Sequence, residues 1–304
     1  MATAKANGIE IAYETFGQRS DRPLLLIIGL ATQMVGWPTE FCRQLAAAGH
    51  WVVRFDNRDI GRSTKMTALE VPDLNQLMKA LENGQSVQSP YSLSDMAADT
   101  AGLMDALGLP AAHICGMSMG GMIGQIMAIE MPQRVTSLIS MMSTTGEIDL
   151  PPSTPAAQQA MLSTPPSGRA AYQQYLAELC RVFANDSPTF DAELQKTMAG
   201  QAFDRGMYPF GFVRQMAAIL AAHGRRKALG TVRTPALVIH GTHDTVAPPA
   251  HGQDTARAIP GARLLMIEGL GHGLAFPSLW PEMISAIARH TAGAEKRFDG
   301  INQP

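Results

Sequence analysis

Six short, almost unbroken apolar runs, each closing on a glycine, an aspartate or a hydroxyl residue, set the tightest limit on how this 304-residue chain can fold. They are "PLLLIIG" (23–29), "WVVRFD" (51–56), "AAHICGMS" (111–118), "SLISMMST" (137–144), "ALVIHG" (236–241) and "RLLMIEG" (263–269). Runs this short and this apolar suit strands buried on both faces, as in a parallel sheet. The opening "GIEIAYETFG" alternates instead, as an antiparallel strand with one wet face would. Between the runs lie helical patterns such as "TEFCRQLAAAG", "SLSDMAADTAGLMDALG", "GGMIGQIMAIE" and "PEMISAIARH". Strand and helix in alternation predict a doubly wound, mostly parallel α/β sheet, whose ligands bind beyond the carboxyl ends of the strands.

The alternation breaks over residues 146–230. "PPSTPAAQQAMLSTPPSGR" reads as a linker, and helical patterns near 169–184, 189–204 and 210–223 follow with no strand among them. The expected organisation is a core domain over 1–145 and 231–295, a helical cap (lid) over 146–230 and a frayed tail over 296–304. A smaller insertion, about 65–90, carries the helix-like "DLNQLMKALENG". The chain is 46% hydrophobic and 16% charged with a net charge of −2, which gives no basic field for nucleic acid and no polybasic membrane patch. No apolar run approaches the roughly 20 residues that span a bilayer. Three widely separated cysteines, Cys42, Cys115 and Cys180, have no metal-ligand spacing and read as reduced thiols of a cytoplasmic protein.

"HICGMSMGGMIG" (113–124) holds the chemistry. Ser118 stands between glycines at −2 and +2, after a strand and before a helix, the setting of a nucleophile elbow. Glycines there for packing beside an idle serine are the alternative. A serine hydroxyl needs a base, and topology sorts the eight histidines. His50 and His113 precede strands, His223 is in the cap, and His290 is late in the last helix. His272, in "IEGLGHGLAF", follows the last apolar run at the correct end of the sheet. Asp244, in "VIHGTHDTVAPP", follows the run before it and is the candidate carboxylate, giving the chain order Ser, Asp, His. Two backbone N–H groups are expected to form an oxyanion hole, from Met119 after the nucleophile and Leu30 after the first buried parallel strand. "HGTHD" also permits a metal reading through His240, His243 and Asp244, but no further ligand has characteristic spacing. "RFDNRDIGRST" (54–64) reads as a turn braced by its own Asp–Arg contacts.

Together "GLATQMVGWPTEF", "RFDNRDIGRST", "GMSMGG", "GTHDTVAP" and "GLGHG" resemble the α/β-hydrolase fold superfamily, nearest to capped carboxylesterases of the aclacinomycin methylesterase type. The resemblance covers roughly residues 7–292 and implies a helical cap inserted after the sixth strand, with no cofactor and no metal. It implies a triad of Ser118, Asp244 and His272, with main-chain donors at Leu30 and Met119. Two positions depart from the usual pattern: Ile28 where many relatives carry histidine, and Asp59 where many carry glycine. The expected activity is cofactor-free hydrolysis of a small to medium apolar carboxylic ester through an acyl-enzyme. A lactonase, C–C hydrolase or perhydrolase with the same triad, or a non-turnover receptor of this fold, are the alternatives. Neither a nucleic-acid nor a membrane partner is expected.

Overall fold

The computed structural model describes residues 1–222 and 224–301, with side chains through 295. His223 and the last three residues of the expected tail lie outside the described residues. Among the described residues, one sheet holds β1 (Ala2–Ala6), β2 (Ile9–Phe16), β3 (Arg22–Ile27), β4 (His50–Phe55), β5 (Ala112–Met117), β6 (Val135–Met141), β7 (Ala236–Gly241) and β8 (Arg263–Ile267). Their spatial order is β1-β2-β4-β3-β5-β6-β7-β8. β2 pairs antiparallel with β1 and β4, and every other pairing is parallel. The six apolar runs are the six parallel strands. They read as continuous because both faces are covered: Leu25 and Ile27 point into one core with Ile114 and Ile123, while Leu24 and Leu26 point into another with Phe41 and Met283. Each such fully buried side chain contributes about 2 kcal/mol.

Helices α1 (Thr39–Ala47), α2 (Leu74–Glu82), α3 (Leu93–Ala106) and α4 (Met119–Glu130) precede β6. Five lie between β6 and β7: α5 (Pro155–Met161), α6 (Arg169–Phe183), α7 (Ala192–Asp204), α8 (Pro209–Ala221) and α9 (Arg226–Leu229). α10 (Ala250–Ala258) and α11 (Trp280–Ile301) complete the described chain, so the backbone of the expected tail is helical as far as Ile301. The sequence does not foretell β1, α5, α9 or α10. β1 is a mostly exposed edge strand of small residues. α5 begins inside the stretch expected to be a linker, where the Thr154 side chain accepts from the Ala157 N–H and Pro155 takes the first helical position. No described helix is long and apolar enough to cross a membrane.

β3 lies between β4 and β5, so the chain leaves it in one direction to β4 and crosses back to β5 on its other side. That reversal opens a crevice at the carboxyl ends of β3 and β5. The loop carrying Leu30 leaves one, and Ser118 leaves the other.

The opposite end of the sheet holds three buried histidines. His50 Nδ1 lies 2.9 Å from the Leu45 carbonyl and its Nε2 2.8 Å from Thr291 Oγ1. His113 Nδ1 lies 2.8 Å from Ser137 Oγ, and its Nε2 faces Glu295 at 3.8 Å. His290 Nδ1 faces Arg263 at 3.4 Å. Burial pushes all three below the ordinary histidine value, His113 to about 3 and His290 to about 4. The positive groups around His113 and His290 act in the same direction.

A histidine with a depressed folded-state pKa takes up its proton first in the unfolded chain, so its contribution is intact above the ordinary value of 6.5 and is lost as pH falls below it. Unfolding measured by circular dichroism at pH 7 and pH 5 is expected to show lower stability at pH 5, by about 2 kcal/mol from His113 alone. His113→Asn should flatten that dependence, and an unchanged slope in the variant would refute the assignment.

Candidate active site

Ser118 is the hinge between β5 and α4, with φ 56° and ψ −121°. Positive φ is unfavourable for a side-chain-bearing residue and costs on the order of 1–3 kcal/mol, so surrounding bonds must enforce it. They do. The Ser118 N–H donates to the Met141 carbonyl at 2.9 Å. The Ser118 carbonyl accepts from the Gly121 N–H at 2.9 Å, the Met122 N–H at 3.2 Å and Ser143 Oγ at 2.8 Å. The flanking glycines allow the turn to close. A Cβ on Gly116 would stand 2.0 Å from the Gly120 carbonyl oxygen, and one on Gly120 would stand 2.1 Å from that of Ile27. Packing and the serine's conformation are therefore one requirement here: the glycines bring strand and helix together, and that closeness holds the half-buried serine in its strained turn. Its hydroxyl does not cap α4.

Asp244 is buried in the loop after β7. Its Oδ1 accepts from the Val246 N–H at 3.0 Å and the Ala247 N–H at 2.8 Å. Its Oδ2 lies 2.8 Å from His272 Nδ1. A carboxylate only accepts, so this pairing puts the imidazole proton on Nδ1 and leaves Nε2 with its lone pair. His272 follows β8 on a loop held from two sides. Its N–H donates to the Phe183 carbonyl at 3.1 Å, and the Gly273 N–H approaches Met142 Sδ at 3.2 Å. Met142 continues directly from Met141, the acceptor of the Ser118 N–H, so the loops of His272 and Ser118 both rest on adjacent residues. The Phe183 ring meets the imidazole edge-on, with centroids 6.4 Å apart.

The structure thus brings Asp244 and His272 into direct contact and places Ser118 at the same rim of the sheet. Among the described residues, no hydrogen bond joins the Ser118 hydroxyl to the imidazole. In ligand-free sites that bond is often long and tightens with substrate. The N–H groups of Leu30 and Met119, likewise, donate to no other acceptor among the described residues. Both lie beside Ser118: Met119 is next in the chain, and a Cβ on Gly29 would fall 3.2 Å from Ser118 Cβ.

The other histidine of "HGTHD" that lies near the acid has a different role from ligation. His240 Nε2 lies 2.7 Å from the Ala247 carbonyl, which fixes its proton there, and 3.5 Å from Asp244 Oδ2. Burial lowers its pKa against the opposing pull of Asp244, so it stays neutral beside the acid. His243 Nδ1 faces Thr242 Oγ1 at 3.0 Å. Among the described residues, no three histidine, cysteine, aspartate or glutamate side chains are grouped to hold a metal.

The turn over 54–64 corrects the sequence reading. Within the turn the Asp56 carboxylate accepts from the Arg62 N–H at 2.9 Å, but the ion pairs all run to distant elements. Arg54 pairs with Glu14 at 2.6 Å, and Arg58 grips Asp99 through two bonds of 2.6 and 2.7 Å. Asp56 pairs with Arg205, just past α7, and Asp59 accepts from Arg214 on α8 at 2.8 and 3.0 Å. Asp59 has φ 68°, which accounts for a position where glycine is common. Its carboxylate also accepts from the Met66 N–H at 2.7 Å.

Sequence reasoning also missed the end of α6. The Phe183 carbonyl accepts from His272 N–H and from Thr245 N–H, so one peptide at the end of α6 touches both the His272 loop and the Asp244 loop. A Cβ on Gly271 would stand 2.3 Å from Ala184 Cα. The glycine spacing of "GLGHG" is the only trace of this contact in the sequence, because a carbonyl acceptor leaves no side-chain signature.

Comparison with known proteins agrees with the expected resemblance. A family model described as the alpha/beta hydrolase fold matches residues 22–278. Rhodomycin D methylesterase DnrP of Streptomyces peucetius is 31% identical, over 92% of this chain and 94% of its own. The 3-oxoadipate enol-lactonase 2 of Acinetobacter baylyi is 27% identical, over 88% of each chain. Among solved structures, a meta-cleavage product hydrolase from Pseudomonas fluorescens shares the fold with a TM-score of 0.73 at 20% identity, covering 97% of this chain and 98% of that one.

Because the Gly120 position faces backbone and not a flexible side chain, Gly120→Ala is expected to lower stability by more than about 3 kcal/mol or to prevent folding. Urea titration of the purified variant, or its loss from the soluble fraction, measures this; a shift below 1 kcal/mol would contradict the packing account.

Proposed function

The chain belongs to the α/β-hydrolase fold family, and on that premise we propose that it is a serine carboxylic ester hydrolase acting through an acyl-enzyme on a small to medium apolar ester. The observation that carries the proposal is the 2.8 Å pairing of His272 Nδ1 with Asp244, at the same rim as an elbow serine in a strained conformation. The likeness to methylesterases supports ester hydrolysis, and with it a small leaving alcohol.

As Ser118 Oγ attacks the ester carbonyl carbon, its proton passes to His272 Nε2. Asp244 stabilises the resulting imidazolium while keeping its own charge. The tetrahedral oxyanion rests on the N–H groups of Leu30 and Met119, and the start of α4 adds its dipole. When the intermediate collapses, the carbon–oxygen bond to the alcohol breaks and the alcohol leaves with the proton from His272. Water then attacks the acyl-enzyme, giving its proton to His272, and Ser118 departs with that proton restored. No cofactor or metal takes part.

Residues 146–230 act as the cap over this site, with 1–145 and 231–295 as the catalytic core. A second reading has the same steps on a lactone, whose leaving alcohol stays tethered to the acyl group; the 27% identical enol-lactonase supports it.

Ser118→Ala is expected to lower kcat on p-nitrophenyl acetate on the order of 10⁵-fold while substrate binding persists. Asp244→Asn should lower it by about 10⁴-fold through the wrong imidazole tautomer. EDTA should have no effect on wild-type turnover. Retained turnover in Ser118→Ala, or inactivation by EDTA, would overturn the proposal.

A further inference from the structure

Gln215 is on α8, within the segment between β6 and β7, and is fully buried. Its amide reaches residues 184 and 157 positions away in the chain. Oε1 accepts from the Ala31 N–H at 2.8 Å, and Nε2 donates to the Arg58 carbonyl at 2.9 Å. Ala31 directly follows Leu30 and has φ 54°, a conformation that a residue bearing a Cβ does not hold without support.

The Leu30–Ala31 peptide is fixed at both ends. Its N–H is held by Gln215, and its carbonyl accepts from Thr32 Oγ1 at 3.0 Å. Upstream, Asn57 Nδ2 donates to the Ile28 carbonyl at 3.0 Å. Between these anchors lies the Gly29–Leu30 peptide, whose carbonyl accepts from the Thr32 N–H at 3.4 Å and whose N–H has no acceptor among the described residues; a Cβ on Gly29 would fall 3.2 Å from Ser118 Cβ. Gln215 is itself firmly set. The Arg58 whose carbonyl it grips is locked to Asp99, and the neighbouring Arg214 makes two bonds to Asp59.

We propose that Gln215 is a positioning residue: by holding Ala31 in its left-handed turn, it aims the Leu30 N–H at the developing oxyanion. The cap thereby contributes to transition-state stabilisation without touching substrate. The proposal rests on the serine-hydrolase reading above.

The test compares wild type with Gln215→Met, which keeps the shape and removes both bonds. Active sites are counted by end-point labelling with a fluorophosphonate, and kinetics on p-nitrophenyl acetate are expressed per labelled site. Positioning predicts that kcat falls on the order of 10- to 100-fold, that KM changes less than about two-fold, and that inhibition by a trifluoromethyl ketone weakens by the same factor as kcat/KM. A role in packing alone predicts a lower Tm with kcat per site unchanged, and that result overturns the proposal. Thr32→Val removes the other anchor of the same peptide and leaves α8 untouched. It should lower kcat about 3- to 10-fold with the same split, so the proposal stays testable if Gln215→Met does not fold. Unchanged kcat per site in Thr32→Val would then overturn it. Absence of label on the wild-type protein would instead remove the serine-hydrolase reading itself.

Discussion

The left-handed backbone of Ser118 is the constraint on which the rest of the site depends. A serine at φ 56° persists only if β5 and α4 approach each other more closely than side chains allow, and Gly116 and Gly120 permit that approach. The same closeness sets the Ser118 N–H on the Met141 carbonyl, which fixes the end of β6 and therefore Met142. Met142 in turn meets the loop of His272. Strain at Ser118, the close strand–helix contact and the placement of His272 are thus one linked arrangement. The order of β3, β4 and β5 in the sheet places Ser118 beside the loop that follows β3.

A second layer of organisation ties the inserted helices to the core. Asp56 and Asp59 leave β4 with their charges directed at Arg205 and Arg214; the Asp59–Arg214 pair is buried, and the Asp56–Arg205 pair is buried on its aspartate side. Buried pairs add little net stability over apolar packing, yet removing one partner strands a charge and costs several kcal/mol. Their effect is to fix one docking geometry for α7 and α8. The last turn of α6 accepts from the loops of both Asp244 and His272 through the Phe183 carbonyl. The inserted helices are therefore tied to the core at more than one place.

Much of this was legible in the sequence, for identifiable reasons. The parallel strands were readable because both faces are apolar, and Ser118 because its glycines sit at −2 and +2 between a strand and a helix. The meeting of Asp244 with His272 was readable from position, since each follows an apolar run at the carboxyl end of the sheet. What escaped was of two kinds. β1 and α5 are short, exposed elements whose bonding, not their pattern, defines them. The partners of Asp56, Asp59 and Ala31 lie more than a hundred residues downstream, on or just past helices that carry no motif, so nothing in the turn over 54–64 points to them. A carbonyl such as that of Phe183 has no identity in a sequence at all.

The central claim, that a strained serine is the nucleophile, is tested most directly by treating the protein with a fluorophosphonate, measuring residual ester hydrolysis, and locating the adduct by peptide mass spectrometry on the same sample. The account predicts a single adduct on Ser118 and hydrolysis lost in proportion to its occupancy. Hydrolysis that continues with Ser118 fully modified, or an adduct on another residue that alone tracks the loss, would contradict it.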